Sequence, residues 1–134
     1  MEPRSEAVVI HLDTHVVMWL RGDPGRRLPK GVRRRIDQSA DVRVSPMVAL
    51  ELDYMVEVGR ATASASVVLA ELQQSIGLTM SAAPFALVVR HAQPLTWTRD
   101  PFDRLIVATA LADGADLVTA DRRICEHVPT AVWD

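Results

Sequence analysis

Two short apolar runs, each stopped by an aspartate, limit what this chain can fold into. Ala7–Leu12 is apolar and β-branched apart from His11, and Asp13 follows it; Leu117-Val118-Thr119-Ala120 runs into Asp121. Runs this short and this rich in branched side chains read as buried strands. Val42–Val44, Leu78–Met80 and Ala131–Trp133 are further candidates, and the strand before Asp121 begins at Asp116. Helical patterns fill the gaps. Thr14–Leu20 has Asp13 as its cap, and Lys30–Gln38 is basic. Met47–Val58 opens at Ser45-Pro46 and stops at Gly59; Ser64–Ser75 stops at Gly77. Pro84 opens a helix to Ala92, Phe102–Ala112 closes at Gly114, and Arg122–Glu126 makes a short helical turn. Gly22-Asp23-Pro24-Gly25 reads as a turn and Leu95–Pro101 as an irregular loop. Strands alternating with helices predict an α/β fold with a mostly parallel sheet.

The 134 residues fit one domain spanning 1–134, and 49% hydrophobic with 24% charged residues is a globular composition. Cys125 is the only cysteine, so no internal disulfide forms, which suits a reducing cytoplasm; it is expected to be an inert, half-buried thiol. Ala7–Leu12 is far too short to span a membrane, and Met1–Glu6 offers no basic leader flank beyond Arg4. The net charge of −2 does not advertise a nucleic-acid partner. Its distribution is more telling: Arg21, Arg26, Arg27, Lys30, Arg33, Arg34 and Arg35 crowd one stretch of fifteen residues. That stretch reads either as a solvated face or as a track for a phosphate backbone.

Four acids stand where an acid is not the expected choice. Asp13 and Asp121 end strands, and the carboxyl ends of parallel strands are where α/β sheets bind ligands. Glu51 shares a helical face with Met47, Tyr54, Met55 and Val58, while Asp103 shares one with Ile106, Val107 and Ala110. A carboxylate on an apolar face requires a partner. Each acid also has a plain structural reading: a cap for Asp13 and Asp121, an ion pair for Glu51, a first-turn dipole contact for Asp103. If all four meet, their repulsion calls for a divalent cation, and all-oxygen ligation selects Mg²⁺, Mn²⁺ or Ca²⁺ over zinc. No Cys/His cluster has metal-ligand spacing. His11 reads as a satisfied core residue and His15 as a surface or capping one. Trp19, Trp97 and Trp133 read as core or interface.

With these residues in place, the chain resembles a PIN domain of the VapC type. The resemblance rests on His11-Leu12-Asp13-Thr14-His15, on Ser45-Pro46 through Glu51, on Arg99-Asp100-Pro101-Phe102-Asp103-Arg104 with the helix that follows, and on Leu117 to Asp121. It covers roughly Val8 to Trp133. It implies an α/β/α sandwich with a mainly parallel sheet of four to five strands and an acidic pocket for Mg²⁺ or Mn²⁺. Asp13, Glu51, Asp103 and Asp121 match the family's four acids, and Thr119 matches a hydroxyl that supports the last of them. The family implies an endoribonuclease acting on tRNA or ribosomal RNA, an inhibitory VapB-type antitoxin and a homodimer. This chain departs from the pattern at Val48 and Ala49, where hydroxyl residues are usual, and at Met55, where a base is usual. Asp100 is a fifth acid, expected to support the site through water or to pair with Arg99 or Arg104. Arg99, Arg104 and Arg122, with Arg26, Arg27 and Arg33, are the candidate RNA contacts.

Two other readings compete. A PIN scaffold could bind RNA or a protein without cutting. A phosphatase of the haloacid-dehalogenase type would need a second Asp where His15 stands, and a downstream Lys; Lys30 is the only lysine. A receiver-type phosphoacceptor lacks the same groups.

Overall fold

The structure, a computed structural model, describes residues 8–134. Ala7, the expected first strand residue, and Met1–Glu6, on which the leader argument turned, lie outside the described residues. Thirteen elements follow in order: β1 (Val9–Leu12), α1 (Thr14–Gly22), α2 (Pro24–Arg27), α3 (Lys30–Gln38), β2 (Asp41–Val44), α4 (Pro46–Glu57), α5 (Ala65–Ile76), β3 (Thr79–Met80), α6 (Phe85–Ala92), α7 (Pro101–Ala112), β4 (Asp116–Val118), α8 (Arg122–His127) and β5 (Ala131–Val132).

The five strands form one sheet in the order β3-β2-β1-β4-β5, and every neighbouring pair is parallel. Consecutive side chains of β1, namely Ile10, His11 and Leu12, are all fully buried. Successive strand residues point to opposite faces, so helices cover both faces of this strand. Apolar residues from β1, α1, α4, α5, α7 and β4 join in a single core with Ile124 and Val128. This is an α/β fold, with the sheet parallel throughout rather than mainly.

The order of strands decides where a ligand can sit. From β1 the chain steps to β2 and β3 on one side, then returns to β4 and β5 on the other. Connections therefore diverge at β1 and β4 and leave a crevice at their carboxyl ends. Leu12 is registered against Val118, and the Asp13 N–H continues the ladder to the Val118 carbonyl at 3.0 Å.

Punctuation in the sequence sets the helix limits. Ser45 caps α4 by accepting from Met47 N at 3.1 Å, with proline in the first turn, and Ser64 caps α5. Gly77 ends α5 at φ +71° with its N–H on the Gln73 carbonyl, a left-handed turn that suits glycine. Open space surrounds the position where a Cβ would sit. Gly77→Ala is therefore expected to cost about 1 kcal/mol of stability, from backbone strain alone, read by urea denaturation.

Two expectations change here. Gly22 to Gly25 is not an open turn: α1 runs through Gly22, and Pro24 starts α2, because proline is well placed in a first helical turn. Cys125 is exposed, not half-buried. Partial desolvation and then the charges of Asp121 and Asp13 push its thiol above the usual range, so it stays protonated.

Candidate active site

Each of the four acids is positioned by a different local device. Asp13 follows β1 and caps α1: Oδ1 accepts from Thr14 N at 2.8 Å. Its Oδ2 accepts from the Thr119 hydroxyl at 2.6 Å, across the crevice. Thr119 Oγ1 also accepts from Asp121 N at 3.1 Å. Thr119 thus joins the two strand ends: it hydrogen-bonds the last acid through the Asp121 N–H, and its own proton goes to the carboxylate of Asp13. Asp121 caps α8 through Oδ1, which accepts from Arg123 N and Ile124 N at 2.9 and 3.0 Å. Its Oδ2 makes no hydrogen bond among the described residues.

Glu51 lies on α4, and its Oε1 accepts from the buried Thr14 hydroxyl at 2.5 Å. Thr14 has no assigned role in the sequence reading; its place between Asp13 and His15 is the one signal for it. The face of α4 differs from the expected stripe. The core takes Val48, Leu52 and Met55, and leaves Tyr54 and Val58 exposed, so Glu51 stands at the rim of the buried face. A buried bond between Ser45 Oγ and Thr109 Oγ1, 2.9 Å long, ties the start of α4 to α7. Asp103 sits in the first turn of α7, with Ile106, Val107 and Ala110 buried below it as expected. Its carboxylate has no hydrogen-bond partner among the described residues.

These acids lie near enough to feel one another's charge. Burial raises the Asp103 carboxyl to about 7, helped by the negative charges of Asp100, Asp13, Asp121 and Glu51. Burial likewise holds Asp13 and Glu51 above the usual carboxylate range against the hydrogen bonds from Thr119 and Thr14; Asp121 adds to the effect at Asp13, and Asp13 and Asp100 at Glu51. Asp100 caps α7, accepting from Phe102 N at 2.9 Å. It pairs with neither Arg99 nor Arg104, and acts on the site as one more like charge. His15 lies near enough to favour the charged forms of Asp13 and Glu51.

The proposed basic contacts scatter. Arg104 donates to the Ala92 and Gln93 carbonyls at 2.9 Å and is committed to the end of α6. Arg33 has a buried Nε without a partner. Arg27 lies over the Trp19 ring, 5.8 Å from its centroid, while Arg35 pairs with Asp116 at the start of β4, the opposite edge of the sheet from the acids. The fold therefore divides the basic stretch between two surfaces. Arg26, Arg99 and Arg122 are exposed. A cavity of about 900 Å³, lined in part by Val8, Arg34, Arg35 and Ser39, also belongs to that opposite edge, away from the acids. Trp97 is stacked on His127 at 4.8 Å, with Arg123 over its ring, which supports the packing role expected of it. His11 is buried and hydrogen-bonded to Asp113 at 2.7 Å, outside the acid group.

The donor set, carboxylate and hydroxyl oxygens under mutual repulsion, fits a hard divalent cation. Among the described residues, no three acids, histidines or cysteines stand in a preformed metal cage. A cation would have to draw the carboxylates inward.

Parallel strands, a crevice at the switch of strand order and acids converging there define an α/β domain of nuclease type. The chain belongs to the PIN-domain family, whose sequence model matches residues 10–128. It is 35% identical over 130 residues to Ribonuclease VapC22 of Mycobacterium tuberculosis, covering 91% of this chain and 96% of that protein. Solved structures of the same fold include VapBC2 from Rickettsia felis bound to a fragment of promoter DNA. That match has a TM-score of 0.64 and 18% identity, and covers 95% of this chain and 100% of the other. VapBC-1 from nontypeable Haemophilus influenzae has a TM-score of 0.63 at 16% identity, covering 95% and 97%. The phosphatase and receiver readings fall with the family match.

Proposed function

We propose that this chain is a divalent-metal-dependent endoribonuclease and the toxin of a toxin–antitoxin pair. The observation that carries the reading is that Asp13, Glu51 and Asp121 add their charge to the burial that holds the Asp103 carboxyl at about 7, beside one crevice. Similarity to a protein named a ribonuclease supports it.

Asp13, Asp103 and Asp121 would hold Mg²⁺ or Mn²⁺, with Glu51 beside them. When bound, such a cation supplies Lewis acidity toward a phosphoryl oxygen and acidifies water. The chain's own residues do the rest. Thr14 N and Thr119 orient the two oxygens of Asp13, which limits how that carboxylate can turn toward the ion. Asp121 Oδ2, left over from capping, would be available to the ion. Thr14 holds Glu51 by Oε1, leaving Oε2 to accept a proton from the attacking water as its oxygen bonds to phosphorus and the ester P–O bond breaks, the leaving oxygen taking a proton from solvent. Arg99, Arg122, Arg26 and Arg27 are exposed cations for the RNA backbone. The substrate is tRNA or ribosomal RNA, the inhibitor a VapB-type antitoxin, the working form a homodimer and its place the cytoplasm. No helix among the described residues is long and apolar enough to cross a membrane.

EDTA is expected to reduce cleavage of a labelled RNA to background, and Mn²⁺ or Mg²⁺ to restore it. Cleavage that persists in excess EDTA would refute the metal assignment. One observation favours the second reading, a scaffold that binds without cutting: the acids are not a ready-made cage. Calorimetric metal titration beside the cleavage assay separates the two, since metal binding without cleavage supports the scaffold.

A further inference from the structure

A cleft of about 390 Å³ opens beside the acids, between α4 and the start of α7. Glu51, Tyr54, Met55, Arg60, Asp100, Pro101 and Phe102 line it. Its volume lies in the ordinary range for small-molecule sites. Tyr54 and Phe102 form an aromatic corner, with ring centroids 5.7 Å apart and planes tilted by 33°. Tyr54 is 48% exposed, so a ring face is open to a ligand. Met55, buried against the core, supports the same segment of α4. Arg60 is exposed, and among the described residues its guanidinium makes no hydrogen bond or ion pair. Aromatic faces, one unengaged guanidinium and direct continuity with the acidic crevice describe how single-stranded RNA is held: bases stack and a fork of N–H groups takes a phosphate.

Resting on the ribonuclease reading, we propose that this cleft seats the nucleobase next to the cleaved bond. The base stacks on Tyr54 with Phe102 as the side wall, and Arg60 binds the phosphate that follows. The acids cut, and the cleft selects an unpaired nucleotide, because a base in a duplex cannot leave its own stack to enter.

Tyr54 is the only tyrosine in the chain. Protein containing 3-fluorotyrosine therefore gives one ¹⁹F resonance that reports on the cleft. Asp103→Asn protein with Mg²⁺ would be titrated with a fluorescein-labelled single-stranded RNA of roughly ten nucleotides, within the site sizes such grooves accept. The ¹⁹F signal should shift in step with the anisotropy of the RNA. In the otherwise unchanged protein, Tyr54→Ala should raise KM about 5- to 150-fold, the span of one base–aromatic stack, with kcat little altered. Tyr54→Phe should restore KM, Tyr54→Leu should not, and Arg60→Ala should raise KM with a weaker salt dependence. RNA that binds without moving the ¹⁹F signal, or a KM unchanged in Tyr54→Ala protein that still cleaves, overturns the cleft assignment and leaves the ribonuclease reading intact. A resonance that moves with a partner protein but not with RNA overturns it in favour of a protein-docking surface. Failure of the unaltered protein to bind or cut any RNA removes both.

Discussion

Asp103→Asn is expected to lower RNA cleavage by about 1,000-fold or more while raising the melting temperature of the metal-free protein. The loss should exceed the roughly 10–100-fold that removing an outer hydrogen-bond partner costs at metal sites, because Asp103 is assigned direct contact with the ion. The gain in stability follows from no longer burying a charge and, second, from relieving repulsion. In the native state burial first, and the neighbouring carboxylates second, hold the carboxyl at about 7, against its ordinary 3.8. The folded protein therefore keeps a proton that the unfolded chain has already lost. Stability from that proton is fully present below the lower value and disappears as pH rises through the upper one. Asparagine never carries the charge, so wild type and variant should melt alike below pH 3.8, where both states hold the proton, and separate progressively until about pH 8. Solvent screening of this half-buried group reduces the expected gap to on the order of 1 kcal/mol, about 4 °C for a chain of this size. Comparison of the two proteins matters because His11, held below its ordinary value mainly by burial, pushes in the opposite direction: it loses stability as pH falls. Mg²⁺ should reverse the order of the two melting points. Equal melting points in EDTA at high pH, or a variant that keeps most of its cleavage, would contradict the assignment.

Thr119→Val should have the second largest effect, and on both stability and rate. Valine keeps the shape but removes the hydroxyl that donates to Asp13 Oδ2 and accepts from Asp121 N. The position is fully buried, so no water replaces the lost bonds. Leaving a buried carboxylate oxygen short of its donor costs about 1–3 kcal/mol or more. Urea denaturation should register that loss, and kcat should fall roughly 10–100-fold as Asp13 loosens. Thr119→Ser retains the oxygen and should recover most of both. If valine and serine behave alike, the hydroxyl is not what joins the two strand ends.

The strand ends and the capped helices were legible in the sequence because local chemistry writes them. Asp13 and Asp121 close apolar runs, Ser45-Pro46 opens α4, and Gly77 closes α5. What stayed hidden depends on contacts between distant residues. Thr14 meets Glu51 from 37 positions away, and Thr119 meets Asp13 from 106. No spacing rule encodes either pair. Helical offsets group Glu51 with Met47, Tyr54, Met55 and Val58, yet which stripe faces the core depends on how α4 packs against α5 and α7. That packing left Tyr54 and Val58 in solvent. Asp100 was visible as an acid but not as a cap, since its use depends on where α7 begins.

Asp13 and Asp121 serve two masters, because a single carboxylate both starts a helix and faces the crevice. Asp103 starts nothing. Descendants of such a domain that abandon chemistry are therefore not free to change all three alike. Asp13 and Asp121 should drift to serine, threonine or asparagine, which still begin a helix, whereas the Asp103 position should accept almost any side chain. Silent relatives ought to carry that uneven pattern of decay.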